Sequence, residues 1–131
     1  MDPAPRHQAR ERALTLLYEA DLKGALPQVV LDGLAVAPDP YTTTVVSAVG
    51  SRGAEIDGMI DDAAIGWGLD RLAVVDRNVL RLAVAELLEC PDVPTAVVLN
   101  EAVELAVAYS TDDSGRFVNG VLATLATRVR G

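Results

Sequence analysis

The stretch from Val98 to Leu122 reads VLNEAVELAVAYSTDDSGRFVNGVL, and its reading decides the fold class. In its first half Leu99, Ala102, Val103 and Ala106 recur at helical spacing and form one apolar stripe, which predicts a helix over about Thr95–Tyr109. A short acidic turn follows. Val118, Val121, Leu122 and Leu125 then make the stripe of a last helix, from about Asp112–Ser114 to about Val129. Asp112 and Asp113 sit where a helix N-cap and first-turn acids belong. The same helix carries the sole phenylalanine, Phe117, beside Arg116 and near its positively polarised end. Such a constellation suits holding a base and a phosphate together.

Working outward, Pro91 and Pro94 force a short extended link before this pair. A helix over about Asp76–Leu88 precedes the link, with Asp76 placed to cap it and Val79, Leu80, Ala83 and Leu87 as its stripe. The opening helix is predicted from about Arg6 to Lys23, punctuated by Pro3, Pro5 and Gly24, with Ala13, Leu16, Leu17 and Ala20 inward. A short helix is expected near Pro27–Val36. Another starts near Tyr41, covers Val45, Val46 and Val49, and continues through Ile56, Met59 and Ile60 if Gly50, Gly53 and Gly58 do not break it. Gly66-Trp67-Gly68 reads as a loop, with Trp67 as a core plug between helices. No segment alternates convincingly as a strand, so the expected class is all-α: a compact bundle of six to seven helices.

Composition narrows the function. The 131 residues suit one domain, and half of them are apolar. No apolar run reaches the ~18 residues of a spanning helix, and no apolar segment follows the first basic residues, so neither membrane span nor secretory signal is expected. Cys90 is alone and His7 is the single histidine, which excludes an internal disulfide and a zinc set; a reducing cytoplasm is the expected compartment. The net charge of −8 argues against a DNA-coating protein, but it is unevenly spread. In residues 1–18, Arg6, Arg10 and Arg12 stand against Asp2 and Glu11, a net of +1, while the remainder carries −9. From Gly53 to Asp70 there are five acids and no Lys or Arg. A small basic end on an acidic body suits an anion at one place and a basic protein at another; a solvated acidic surface explains the acids taken singly.

No residues are set for catalysis, and no cofactor is expected: phosphate-loop, dinucleotide and metalloprotease motifs are all missing. Glu101/Glu104, Asp61/Asp62 and Asp112/Asp113 read as solvated or first-turn acids rather than acid–base dyads, and His7 as part of a flexible start. Binding is better supported. Arg6 and Arg10 are four apart and share one helical face. Arginines at a helix start oppose its dipole, so a chain that keeps them has a use for the charge: Arg6, His7, Arg10 and free N–H groups would hold phosphates. An ordinary basic tail is the plainer reading. Tyr18 is offset by about a quarter turn from the core stripe, able to stack on a base or to sit at the core edge. Phe117 lies about 100° from the Val118 line, at the core rim beside Arg116 or packed inward. Aromatic plus arginine is common hardware for unpaired RNA bases.

At these residues the chain resembles the bacterial transcription antitermination factor NusB family. NEAVELA and DDSGRFVNGVL resemble the family's NEA-ELA and DS-KFVNGVL pattern, RHQARERALTLLYEAD its opening helix, and DRNVLRLAVAEL its central helix. The stretch from about Gly24 to Trp67 matches only in helical pattern. The resemblance implies two small helical subdomains, about residues 1–66 and 67–131, within one RNA-binding domain. It also implies pairing with NusE, a basic protein of the small ribosomal subunit, and joint binding of the single-stranded boxA element in nascent ribosomal RNA leaders. Other Nus factors and RNA polymerase would be engaged indirectly, and termination suppressed. Carried over by position, Arg6, His7, Arg10 and Tyr18 match the RNA-binding helix, and Asp113, Arg116 and Phe117 a second RNA contact patch. Asp76, with Arg77 beside it, matches the partner surface. The chain departs from the pattern at His7 and Gln8, where some members have arginines, and at Arg116, where lysine is usual. Two other readings stand beside this one. One is the RNA-binding arm of a ribosomal RNA cytosine methyltransferase, whose glycine-rich loop and catalytic cysteines are not seen before Gly131. The other is a self-associating helical scaffold, since some family members form homodimers.

Overall fold

Prolines and glycines set most helix boundaries in the computed structural model, which describes residues 3–66 and 68–131. The order is α1 (Pro3–Lys23), α2 (Pro27–Asp32), α3 (Pro40–Ser51), α4 (Gly53–Ala63), a 3₁₀ turn at Leu69–Arg71, α5 (Val74–Glu89), α6 (Thr95–Tyr109) and α7 (Asp112–Arg130). No strand occurs among the described residues. α1 stops at Gly24, whose φ of +64° suits the left-handed close of a helix, and Ala25 N–H returns to the Ala20 carbonyl at 2.9 Å. α3 opens on Pro40 with Asp39 as its cap, the Asp39 carboxylate accepting from Tyr41 N–H at 2.8 Å.

α5 is the axis of the bundle. Helices α1, α3, α4, α6 and α7 all pack on it, and it is buried nearly all round, as a centrally placed helix must be. Val79, Leu80, Ala83, Val84 and Ala85 have no exposure at all. Burying one Val or Leu contributes about 1.5–3 kcal/mol, so this helix anchors the core. One apolar cluster runs from Ala13 in α1 through α3, α4 and α5 to Ala126 in α7.

The predicted stripes of α1, α5 and α7 are all buried. Four expectations need correction. The helix after Tyr41 does not continue: Arg52 (φ −113°, ψ 24°) separates α3 from α4, held there by ion pairs to Glu55 and Glu89. In α6 the inward face is Val98, Ala102, Leu105 and Ala106, with Leu99 and Val103 only half-buried. That helix is apolar on several sides, so periodicity alone allowed more than one face. Asp76 is not a cap, because α5 starts a turn earlier with Ala73 at the cap position. Thr111 rather than Asp112 caps α7, accepting from Ser114 N–H at 3.0 Å. The reading of Trp67 as a core plug lies outside the described residues.

One guanidinium ties the far end together. Arg130, in the last turn of α7, donates to the carbonyls of Glu86, Leu87, Cys90 and Val93 and to Thr95 Oγ1, at 2.6–3.3 Å. It thereby satisfies the Leu87 carbonyl, opposite Pro91 with no N–H to give, and adds a second donor to the Glu86 and Cys90 carbonyls, which already accept from Cys90 and Val93 N–H. Among the described residues no helix is long and apolar enough to cross a membrane.

Candidate nucleic-acid interface

The N-terminal half of α1 presents Arg6 and His7 outward but turns Arg10 in. Arg10 extends the line of Ala13 and Leu17 back by one turn, so it points at the core. Its side chain is 2% exposed, and Nε donates to Glu86 Oε1 at 2.7 Å. Nη1 donates to Glu101 Oε1 at 3.1 Å, and Nη2 is buried without a partner. Burial alone would pull the Arg10 pKa down, but the charge of Glu86 and its hydrogen bond raise it. The Glu86 pKa also moves up, because burial raises it more than Arg10 and Tyr41 lower it. The Tyr41 hydroxyl also donates to Glu86, and burial, with Glu86 beside it, drives the phenol pKa strongly up. Above this buried knot the Arg6 guanidinium lies over the Tyr41 ring, 4.1 Å from its centroid. Arg6 and Arg10 line a shallow groove with Asp92, Val93, Pro94, Val97 and Glu101.

His7 lies within α1, not in a flexible start, and bonds across to α6. Its Nδ1 is 2.9 Å from Glu101 Oε2, and Nε2 is 3.8 Å from Glu11 Oε1. The bond to Glu101 raises the imidazole pKa above its ordinary 6.5, helped by the charges of Glu11 and Glu104. His7, Glu101 and Glu104 bring ligand-type atoms within 4.8 Å of one another. Arg10 and His7 already compensate the Glu101 charge, so Glu101, read from sequence as solvated, is instead a shared internal acceptor.

Glu104 joins the two ends of the surface. It faces His7 on one side and on the other lines a groove with Asn100, Val103, Val107, Asp112, Gly115, Arg116 and Asn119. α6 thus carries one continuous face from the start of α1 to the start of α7. Arg116 and Asp113 are exposed and paired with each other. Phe117 is half-buried against the core, at its rim. Tyr18 is 38% exposed, eleven residues beyond His7 and so about 16 Å further along α1.

Asp76 and Arg77 sit elsewhere, at the start of α5. Asp76 is almost buried and accepts from Ser114 Oγ at 2.9 Å, tying α5 to α7. Arg77 grips Asp21 through two bonds of 2.7 Å, and Asn78 and Arg81 donate to the same carboxylate. The Arg77 bonds and the one from Asn78 hold the Asp21 pKa down at about 2. Sequence reasoning passed over Glu86, Tyr41 and Tyr109. Glu86 had a visible signal, a charge on the Val79–Ala83 stripe. Tyr109, exposed at the end of α6 and donating to Glu11 at 2.7 Å, had none.

Comparison with known proteins fits this geometry. The profile of the NusB family matches residues 7–127. The chain is similar to the transcription antitermination protein NusB of Acidothermus cellulolyticus, 50% identical over 124 residues that span 92% of this chain and 86% of that one. It is 49% identical over 127 residues to the protein of that name from Saccharopolyspora erythraea, again with 92% and 86% covered. Among solved structures it is similar to T. maritima NusB, with a TM-score of 0.83, 35% identity, and 95% and 92% of the two chains covered. A crystal structure of antitermination factors NusB and NusE in complex with dsRNA matches with a TM-score of 0.80, 31% identity, and coverage of 95% and 97%. The chain belongs to the NusB family.

Proposed function

We propose that this protein is a cytoplasmic, non-catalytic transcription antitermination factor that pairs with NusE. Together they hold the single-stranded boxA element of nascent ribosomal RNA leaders, and through other Nus factors they suppress termination by RNA polymerase. The observation that carries the reading is the face of α6 with Arg6 and His7 at one end and Arg116 at the other. It lies on a fold shared with a NusB crystallised with NusE and RNA.

Arg6, His7 and Arg116 supply the phosphate contacts, with Tyr18 and Phe117 as aromatic surfaces at either end. Arg10 acts differently from a phosphate ligand: buried against Glu86, it fixes the turn that displays Arg6 and His7. Asp113 orients Arg116, while Asp76 and Arg77 shape the adjoining surface for NusE. Of the five carboxylates between Gly53 and Asp70, Glu55 and Asp57 already pair with Arg52 and Arg81, and Asp61, Asp62 and Asp70 complement a basic partner, which supplies the positive charge this chain is short of. The test is an electrophoretic shift of a boxA-like single strand and of its duplex, by this protein alone and with NusE. A tight complex with the single strand that requires NusE is expected. Equal binding of the duplex overturns strand selectivity, and no shift with either RNA overturns the reading.

A further inference from the structure

The groove between α6 and α7 has more chemistry than phosphate contact requires. It is a shallow, open groove of about 590 Å³. The floor is apolar: Val103 is half-buried and Val107 is 43% exposed, so both present methyl groups to the groove. Gly115 lets the two helices close beneath it, since a Cβ there would stand 2.6 Å from Val107 Cγ2. The walls carry two carboxamides, Asn100 on α6 and Asn119 on α7, both exposed. Among the described residues neither amide has a hydrogen-bond partner. Glu104 and Asp112 add two carboxylates, and Arg116 stands beside them.

This lining selects its occupant. Two amides provide donors and acceptors together, while the ionised carboxylates only accept. The site therefore holds an excess of acceptors and favours a flat ligand that offers N–H donors. The carboxylates repel a phosphate within the groove, and Arg116 attracts one beside it. A flat apolar face, a donor-bearing edge and an adjoining phosphate describe one nucleotide whose base is not paired. Adenine and cytosine present an exocyclic amino group beside a ring acceptor, which is the pattern that Asn amides and carboxylates read. Uracil presents a carbonyl in place of the amino group, beside a ring N–H, and that carbonyl meets the Glu104 and Asp112 carboxylates unfavourably.

We propose that this groove is a base-reading subsite, which seats an unpaired amino-bearing nucleobase on Val103 and Val107 and reads its edge with Asn100 and Asn119. The inference rests on the RNA-binding reading above and adds a base preference to it. Log affinity for oligo(A), oligo(C) and oligo(U) of equal length is measured against salt for the protein with NusE, and for Asn100→Ala and Asn119→Ala. Both substitutions are at exposed positions, so circular dichroism should show an unchanged fold. Each is expected to weaken oligo(A) and oligo(C) by about tenfold and oligo(U) by under about twofold, with the salt slope unchanged. The side-chain amide resonances of both asparagines should shift when oligo(C) is added. Retained RNA binding with the same base ranking in both variants overturns the subsite and leaves the RNA-binding reading standing. Loss of NusE binding with RNA contacts intact makes the groove a protein contact and also overturns the subsite. Absence of binding to any oligomer removes both.

Discussion

Arg10 Nε sits 2.7 Å from Glu86 Oε1, and each of these two side chains is only 2% exposed. They are 76 residues apart in the chain and join the first helix to the central one. Removing Arg10 leaves Glu86 with only the Tyr41 hydroxyl, and removing Glu86 leaves Arg10 with only Glu101, so either change leaves a buried charge without its main partner. Arg10→Ala or Glu86→Ala is expected to cost about 3–5 kcal/mol in urea unfolding, whereas Arg10→Met with Glu86→Leu costs far less. A stability change below about 1 kcal/mol for Arg10→Ala would mean that the pair is solvated in solution.

Asp21 makes the fold sensitive to acid. Its pKa of about 2 lies below the ordinary 3.8, so its contribution is complete above that ordinary value and is lost as pH falls through the folded one. The shift corresponds to about 2 kcal/mol. Asp21→Asn should remove that share of the stability loss between about pH 4 and pH 2. An unchanged acid-unfolding curve would contradict the Asp21–Arg77 pairing.

His7 titrates above 6.5 because Glu101 holds its proton. A raised folded pKa means that the link between α1 and α6 is fully present below 6.5 and is lost as pH rises through the folded value. Since His7 is the single histidine, its NMR midpoint is unambiguous. Glu101→Gln should lower that midpoint, and RNA affinity should weaken across the same interval. A midpoint at or below 6.5 in the unaltered protein would count against the bond.

Arg6→Ala and Arg116→Ala should each reduce the slope of log affinity against log salt by about 0.7, the value for one phosphate contact on a single strand. Neither side chain is fully buried, so thermal stability should hold. An unaltered slope in both variants would remove the phosphate contacts from the proposed surface.

Gly115→Ala forces a Cβ to within 2.6 Å of Val107 Cγ2. Overpacking costs about 1–3 kcal/mol, of which Ala returns about 0.5–1 kcal/mol over Gly inside a helix. Val107→Ala in the same chain should restore most of that loss, as a shift in melting temperature will report. Failure of the rescue would place the strain elsewhere.

The helices were legible because their punctuation and stripes agree. Thr95–Tyr109 was read to the residue, since Pro94 fixes one end and the polar turn after Tyr109 the other. Membership of the family was legible from three ordered motifs. Contacts between distant residues were not. Arg10 looked like a surface charge because its acceptors, Glu86 and Glu101, lie on other helices. The clue was that Arg10 and Glu86 each continue an apolar line, and a charge on such a line implies a buried partner. The rotation of α6 was hidden for the opposite reason: too many of its sides are apolar, so packing against α7 chose among them.

The clasp made by Arg130 has a bearing on the life of the molecule. Loss of the Arg130 guanidinium would take a donor from the carbonyls of Leu87, Cys90 and Val93 together. The strap from Pro91 to Pro94 would loosen, and with it the wall that faces Arg6. A change in the last turn of α7 would then reach the groove beside Arg6 in the first turn of α1.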